Sequence, residues 1–434
     1  MISNQVNVLS NLTPETVLQL ERVSFISRAT AMPGAIEADD SFGEATTLAG
    51  EEININEVIR LSVDTAERMV ITTKHLVVGG LCYDQDAESP LENCDAEGKI
   101  FHRGSRASGD EEIRFNETLG LDSYGDKDLS AEAVSHQLAS HVIVAIRKDR
   151  SLMTTLSNLL RSQTGGAKSG WDAVCQEVTE AILQEGWELA PDCIAEAFLG
   201  VRWWLDLTDE WRDKLDPLRC LVDQSEAESA WGRAIEAGTI GNPLAQMIDI
   251  YEHSGVSYSL SGEGYNCRWD TSSGGAVWVP DAAAEENIRY NVLSKLGVGQ
   301  VKYFGSVGSQ ENPCHASYSL DDGKTWVGDD QSWSWSKAMA AMLEASSSKP
   351  EATVVSRLMA QEARNYARGV IQSYSEWRNG EVYGVVVYVI DRETGLRIEV
   401  HNHEVWGHIG NTYAEQTLES EILNTVLHLQ RTLN

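Results

Sequence analysis

The sequence predicts an α+β protein with a mixed N-terminal region, an α-helical middle domain and a C-terminal antiparallel β-sheet with flanking helices. Three observations carry this reading. Between Trp171 and Ile250 apolar residues recur at helical spacing, with Val174, Val178, Ile182 and Leu183 on one face and Ile194, Phe198, Leu199 and Trp203 on another. Val382 to Ile390 and Leu396-Arg-Ile-Glu-Val400 read as two strands joined by Asp391-Arg-Glu-Thr-Gly395, a hairpin signature. Leu418, Ile422, Val426, Leu429 and Leu433 then form a single helical stripe, suited to packing on that sheet or on a second copy of itself.

A chain of 434 residues exceeds the size over which one core usually grows, so more than one domain is expected. The patterns divide it into residues 1–150, mixed, 151–255, helical and acidic, and 256–434, α+β with hairpins and long helices. Thr13-Pro14 opens the first helix as N-cap and N1. Residues 28–56 read as an extended arm, and Met69-Val-Ile and Leu76-Val-Val as strands. In the acidic loop from Cys82 to Gly98, Asp84, Asp86 and Glu88 have the spacing of a calcium loop. Ser89 stands where its hinge glycine belongs and Asp95 where its bidentate glutamate belongs, so the loop reads as solvated.

Ser130 to Arg147 reads as a helix begun by Ser130. His136 and His141 are five residues apart on it and do not share a face. Gly165-Gly-Ala-Lys-Ser169 lacks the glycines of a phosphate loop, with Ser162 and Ala167 in their places, and reads as a linker with an N-cap. Asn287 to Leu296 is helical, stopped by Gly297, and Val298 to Phe304 is a short buried strand. Lys337 to Ala345 is helical. Pro350 opens a long helix through Trp377, ended by Asn379-Gly380.

The formal charge is −32, from 34 basic and 66 acidic residues. It is spread along the chain, with 13 basic against 26 acidic residues in 1–150, 14 against 29 in 151–349, and 7 against 11 in 350–434. Such a field repels nucleic-acid backbones and steers basic partners toward the surface; ordinary solubility or adaptation to salt would also account for it. Seven cysteines without a Cys-x-x-Cys pair point to reduced thiols, not to a disulfide framework or a zinc ribbon. The N-terminus lacks a basic n-region and a long apolar h-region, and no run reaches transmembrane length. The expectation is a cytoplasmic protein without membrane contact, in the host cytoplasm if the gene is viral.

Three motifs resemble known families. The helix and strand running into Gly305-Ser306-Val307-Gly308-Ser309 resemble the opening of polymerase-β-type nucleotidyltransferases, which implies a turn that holds nucleotide phosphates. That family places two carboxylates as Asp-x-Asp on one strand face to share magnesium, whereas Asp321 and Asp322 are adjacent here and would point to opposite faces. Ser319-Leu-Asp-Asp-Gly-Lys-Thr-Trp326 resembles the Asp-box of sialidase-like propellers, which implies a structural hairpin shaped by Asp321 and Gly323 with Trp326 packed beneath it. Asp270 to Trp278 is a looser echo, and two copies do not make a propeller.

His401-Asn-His-Glu-Val-Trp-Gly-His408 contains His-Glu-x-x-x-His, which resembles the motif of dipeptidyl peptidase III-type zinc peptidases. That family carries it on a helix; here it follows an apolar run directly and contains Gly407. On an extended strand His401 and His403 share a face and Glu404 points away, so His408 joins them only if the chain turns at Gly407.

The first functional expectation is a non-enzymatic acidic protein that binds a basic partner surface or assembles with itself, such as a virus-encoded antagonist or structural component, with no cofactor. Its docking face would carry Asp206, Asp209, Glu210, Asp213 and Asp216 beside Trp203, Trp204 and Trp211, unless these tryptophans are core. The alternative is an enzyme. It would be either a magnesium-dependent nucleotidyltransferase using Gly305, Ser306, Asp321 and Asp322, or a zinc hydrolase using His403, Glu404 and His408 with His401 nearby.

Overall fold

A computed structural model of the chain describes residues 24–93, 97–187, 190–219, 223–265, 267–304, 315–328, 333–347, 349–401 and 403–432. The elements begin with α1 (Phe25–Thr30), β1 (Ala35–Asp39), α2 (Ile55–Ile59), β2 (Glu67–Thr72), β3 (His75–Tyr83), α3 (Pro90–Asn93) and β4 (Lys99–His102). A helical stretch follows: α4 (Gly109–Leu119), α5 (Glu132–Lys148), α6 (Arg150–Gln163), α7 (Trp171–Glu185), α8 (Ala190–Leu199), α9 (Asp209–Arg219) and α10 (Gln224–Glu236). Then come β5 (Gln246–Glu252), β6 (Val256–Leu260), β7 (Thr271–Val279), α11 (Ala282–Lys295), β8 (Gln300–Phe304), β9 (His315–Ser319) and α12 (Trp335–Ala345). The last elements are α13 (Ala352–Arg378), β10 (Val382–Asp391), β11 (His403–Ile409) and α14 (Asn411–Thr432). The expected α+β class is the one observed.

In place of three consecutive regions, the chain forms two interleaved units. The first holds the described residues of 1–94, 252–258 and 370–434, and the second those of 95–251 and 259–369. The helix expected from Thr13 lies outside the described residues. The interleaving follows from strand pairing. In the first unit the five-stranded sheet has the order β1-β2-β3-β10-β11, antiparallel throughout, so a strand from the C-terminal part of the chain completes the N-terminal sheet.

β10 is buried from Val382 to Ile390 because both faces of this sheet are covered. Val385, Val387 and Val389 pack with Leu418, Ile422 and Val426 of α14. Val386, Tyr388 and Ile390 pack on the other side with Ile53, Ile59 and Met69. A strand covered on both faces has no polar positions, which explains an apolar run without alternation. Gly79 of β3 lets α14 lie directly on the backbone, since a Cβ there would be 2.8 Å from Leu418 Cδ1 and from the Val386 carbonyl oxygen.

The hairpin partner of β10 differs from the expected Leu396–Val400. The turn closes as expected, with the Gly395 amide donating to the Asp391 carbonyl at 2.8 Å, but pairing stops after the Ile390–Arg397 bridge. Glu399–His401 then winds into a 3-10 turn. Arg397 is held there, its guanidinium 4.9 Å from the Tyr388 ring centroid and donating to the Ile59 carbonyl at 3.1 Å. The strand that pairs is β11, the histidine-bearing segment.

In the second unit, helices α5 to α10 form a bundle whose core includes Leu138, Val142, Val178, Ile182, Ile194 and Phe198. The helical region therefore starts nearer 132 than 151 and ends at 236, with strand from 246 onward. Ser130 does not cap α5; its hydroxyl donates to Asp128 at 2.7 Å, and Ala131 holds the cap position. The N-cap of α7 is Gly170. β4 and β5 both pair antiparallel with β7, and the buried Trp278 of β7 donates its Nε1–H to the Glu97 carbonyl at 2.8 Å. β8 and β9 pair with each other, and with α12 they enclose Val298, Val301, Ala316, Tyr318 and Met342. α13 contributes its residues as far as 369 to this unit and the rest to the first.

The contact of α14 with Gly79 is expected to carry a large share of the first unit's stability. Ile422→Ala should cost about 2–5 kcal/mol and Gly79→Val should also destabilise, since its side chain has nowhere to go. Chemical denaturation followed through amide exchange of β3 and β10 reads both effects, and wild-type protection in either variant would show that the helix is not the lid of this core.

Candidate functional site

Among the described residues, the segments that could carry chemistry are the Asp321 hairpin, the histidine strand and the acidic face of the helical bundle. The Gly305-Ser306 turn lies outside the described residues, so only the carboxylate half of the magnesium constellation can be placed. Asp321 sits in the turn after β9, and its carboxylate is fully used there. Oδ1 accepts from Ser319 Oγ at 2.8 Å and from the Thr325 amide at 2.8 Å, while Oδ2 accepts from Thr325 Oγ1 at 2.6 Å. The hydrogen bonds from Thr325 hold its pKa at about 2, below the ordinary carboxylate range. Asp322 is left-handed, with φ 55°, and exposed.

Ser319 Oγ also accepts from the Gly323 amide at 2.9 Å, and the returning chain pairs through Tyr318 and Val327. Trp326 meets Phe304 edge-on at 5.1 Å, with Gly323 against its six-membered ring. The residues that resemble an Asp-box thus make the hairpin that the resemblance implies, and the two aspartates neither lie on a strand nor share a face.

The histidines sit where β11 meets α14. His403 Nδ1 is 3.1 Å from Glu421 Oε2. The His401 ring, at the end of the 3-10 turn, lies 5.8 Å from that of His428. His408 lies 5.6 Å from Tyr413, and burial pushes its pKa down while Glu421 pulls it up. Strand alternation alone would set His408 opposite His403. An irregular register between Tyr383 and Val385, together with Gly407 at φ 87°, turns the chain so that both approach α14.

Glu404 points the other way and accepts from the Tyr388 hydroxyl at 2.7 Å. Burial first, and then this bond, raise the Tyr388 pKa. The His-Glu-x-x-x-His residues are therefore on an edge strand and not on a helix, with the glutamate turned from the histidines. Among the described residues no three His, Cys, Asp or Glu side chains are placed to hold a metal.

The acidic face is built around the connection from α8 to α9. α8 ends at Leu199, so Trp203 falls outside the helix whose face it was expected to extend. Residues 203–207 divide between the bundle and the surface. Trp204 packs against the bundle core and Leu207 is buried, whereas Trp203 is 68% and Leu205 83% exposed. Arg212 fixes this connection, its Nε and Nη2 donating to the Leu207 carbonyl at 3.0 and 2.8 Å.

The expected carboxylates follow in the next residues of the chain, on the connection and along α9. Asp209 Oδ1 is 3.4 Å from Arg212, and Glu210 accepts from Lys214 at 2.7 Å, which holds its pKa below the ordinary range. Asp206 and Asp213 are exposed with no side-chain partner among the described residues, and Asp216 is exposed as well. Of the three tryptophans, Trp211 is half-buried against the bundle beneath Lys214, whose Nζ is 5.1 Å from its ring centroid. Sequence reasoning missed Leu205. The available signal was Gly200-Val-Arg, which breaks the helical pattern before the Trp-Trp-Leu run.

Two outcomes follow. The depressed pKa of Asp321 means that its carboxylate stabilises the hairpin above about pH 4, and that this contribution is lost as pH falls through about 2. Asp321→Ala should lower Tm at neutral pH, and the gap between variant and wild type should close as pH drops from about 4 toward 2. A gap independent of pH would remove the charged turn as its cause. For the histidine strand, elemental analysis after dialysis should find zinc well below one equivalent; stoichiometric zinc lost in His403→Ala would overturn this.

Comparison of the chain with protein-family models, with curated proteins and with solved structures finds no match in any of the three.

Proposed function

We propose that this chain is a non-catalytic, acidic binding protein that docks a basic amphipathic segment of a partner protein on the surface around Trp203 and Leu205. The observation that carries this reading is the exposure of these two side chains, at 68% and 83%, in a stretch of chain that runs on through the exposed Asp206, Asp209, Glu210 and Asp213. Tryptophan is enriched among the residues that dominate binding energies, and covering it removes apolar surface from water. The carboxylates around it raise the encounter rate with cations and select against acidic competitors. Self-association through this face would oppose like charges, so a basic partner is favoured over a second copy.

The same charge repels nucleic-acid backbones. Among the described residues no helix is long and apolar enough to cross a membrane. Among the described residues Cys82, Cys175 and Cys267 carry free thiols, which supports placement in the reducing cytoplasm.

Association with a basic amphipathic helical peptide, followed by stopped flow, is expected to slow steeply as salt rises. Trp203→Ala should weaken binding by about tenfold. Reversing Asp209, Glu210 and Asp213 together to lysine should abolish the salt dependence. Unchanged affinity in both variants would place the interface elsewhere, and a salt-independent rate would remove the electrostatic part of the proposal.

A further inference from the structure

α9 has a second side that runs against the charge of the rest of the chain. It lines, with α5 and α6, a groove of about 490 Å³, within the range of small-molecule sites. The floor is apolar. Leu152 and Leu218 are buried beneath it, while Val144 remains 51% exposed in its wall. Its polar lining is Lys148, Lys214, His141 and a single carboxylate, Asp149. That carboxylate is committed as the N-cap of α6, its Oδ1 accepting from the Ser151 and Leu152 amides at 2.9 and 3.0 Å.

The cations are differently placed. Lys148, in the last turn of α5, has no acidic partner among the described residues. Lys214 meets Glu210 at 2.7 Å, an exposed pair that contributes little and can be exchanged. His141 Nδ1 lies 3.2 Å from Glu226, which Arg233 also engages at 3.1 Å. Glu210 and Glu226 offset Lys214 and His141, so the uncompensated charge of the lining is that of Lys148, beside the one capped carboxylate, in a chain with nearly two acidic residues for each basic one.

We infer that this groove binds an amphiphile with an anionic head, of the class of a medium-chain carboxylate, with the head at Lys148 and Lys214 and the chain over Val144, Leu152 and Leu218. The acyl chain covers apolar surface that α5 and α9 leave open, and the carboxylate supplies Lys148 with a counter-charge. The site touches the acidic face proposed for partner docking only through Lys214, whose present partner is Glu210.

The global field makes the test selective, because a chain of charge −32 attracts cationic amphiphiles and repels anionic ones unless a local site decides otherwise. Calorimetric titration of the full chain, below micelle-forming concentrations, compares dodecanoate with dodecyltrimethylammonium. Dodecanoate should bind saturably at one site, and the cation at least about tenfold more weakly. Lys148→Glu removes the head contact, and Val144→Trp fills the groove. Both positions are exposed, so both variants should keep the wild-type circular dichroism and Tm while losing dodecanoate affinity by about tenfold or more. Equal or stronger binding of the cation, no binding of dodecanoate, or undiminished affinity in both variants would each overturn the inference.

Discussion

The antiparallel pairing of β10 with β3, from Tyr383 opposite Tyr83 to Asp391 opposite His75, is the contact on which the first unit depends. β10 enters between an N-terminal meander and the edge strand β11, and its side chains fill both cores at once. Because the strand comes from the far end of the chain, the second unit is an insertion between parts of the first. Once β10 is seated, α14 has only one place for its apolar stripe, over Gly79, and the histidines of β11 are carried against that helix.

Charge organises the surface in a way that composition alone conceals. The net charge of −32 suggests uniform repulsion, yet many carboxylates are engaged locally. Glu263 is held at a pKa of about 2, chiefly by its hydrogen bond from Arg368 and then by Arg364. Asp249 accepts from Ser261 and from the Gly262 and Gly274 amides. The carboxylates left without such duties, Asp206 and Asp213 among them, are the ones available to a partner. On α9 Glu210 is likewise engaged, by Lys214 one turn along.

The motifs illustrate how one pattern serves structure or chemistry according to its surroundings. Asp321 has the residue type of a metal ligand, but its oxygens are saturated by Ser319 and Thr325 within six residues of chain. His403 and Glu404 are neighbours in sequence and face opposite sides of a strand, so each finds a separate partner, Glu421 and Tyr388. On a helix Glu404 and His408, four residues apart, would share a face; the strand turns Glu404 away from the histidines.

Sequence alone determined what depends on local spacing. The apolar run of β10, the stripe of α14, the bundle helices and the Asp321 turn are legible because burial on two faces, a 3.6-residue period and turn chemistry leave marks over a few adjacent residues. Partner choice leaves no such mark. Leu396–Val400 looked like the second strand because Leu396, Ile398 and Val400 alternate with charged residues after a hairpin turn, whereas β11 is an exposed edge strand whose polar residues hide it. The exposure of Trp203 and Leu205, against the burial of Trp204 and Leu207, is set by where α8 ends and Arg212 ties the connection. The groove lysines lie 66 residues apart on α5 and α9, and only the packing of the bundle brings Lys148 and Lys214 to one cavity. Contacts over such separations depend on the whole fold, which is why tertiary structure decided them.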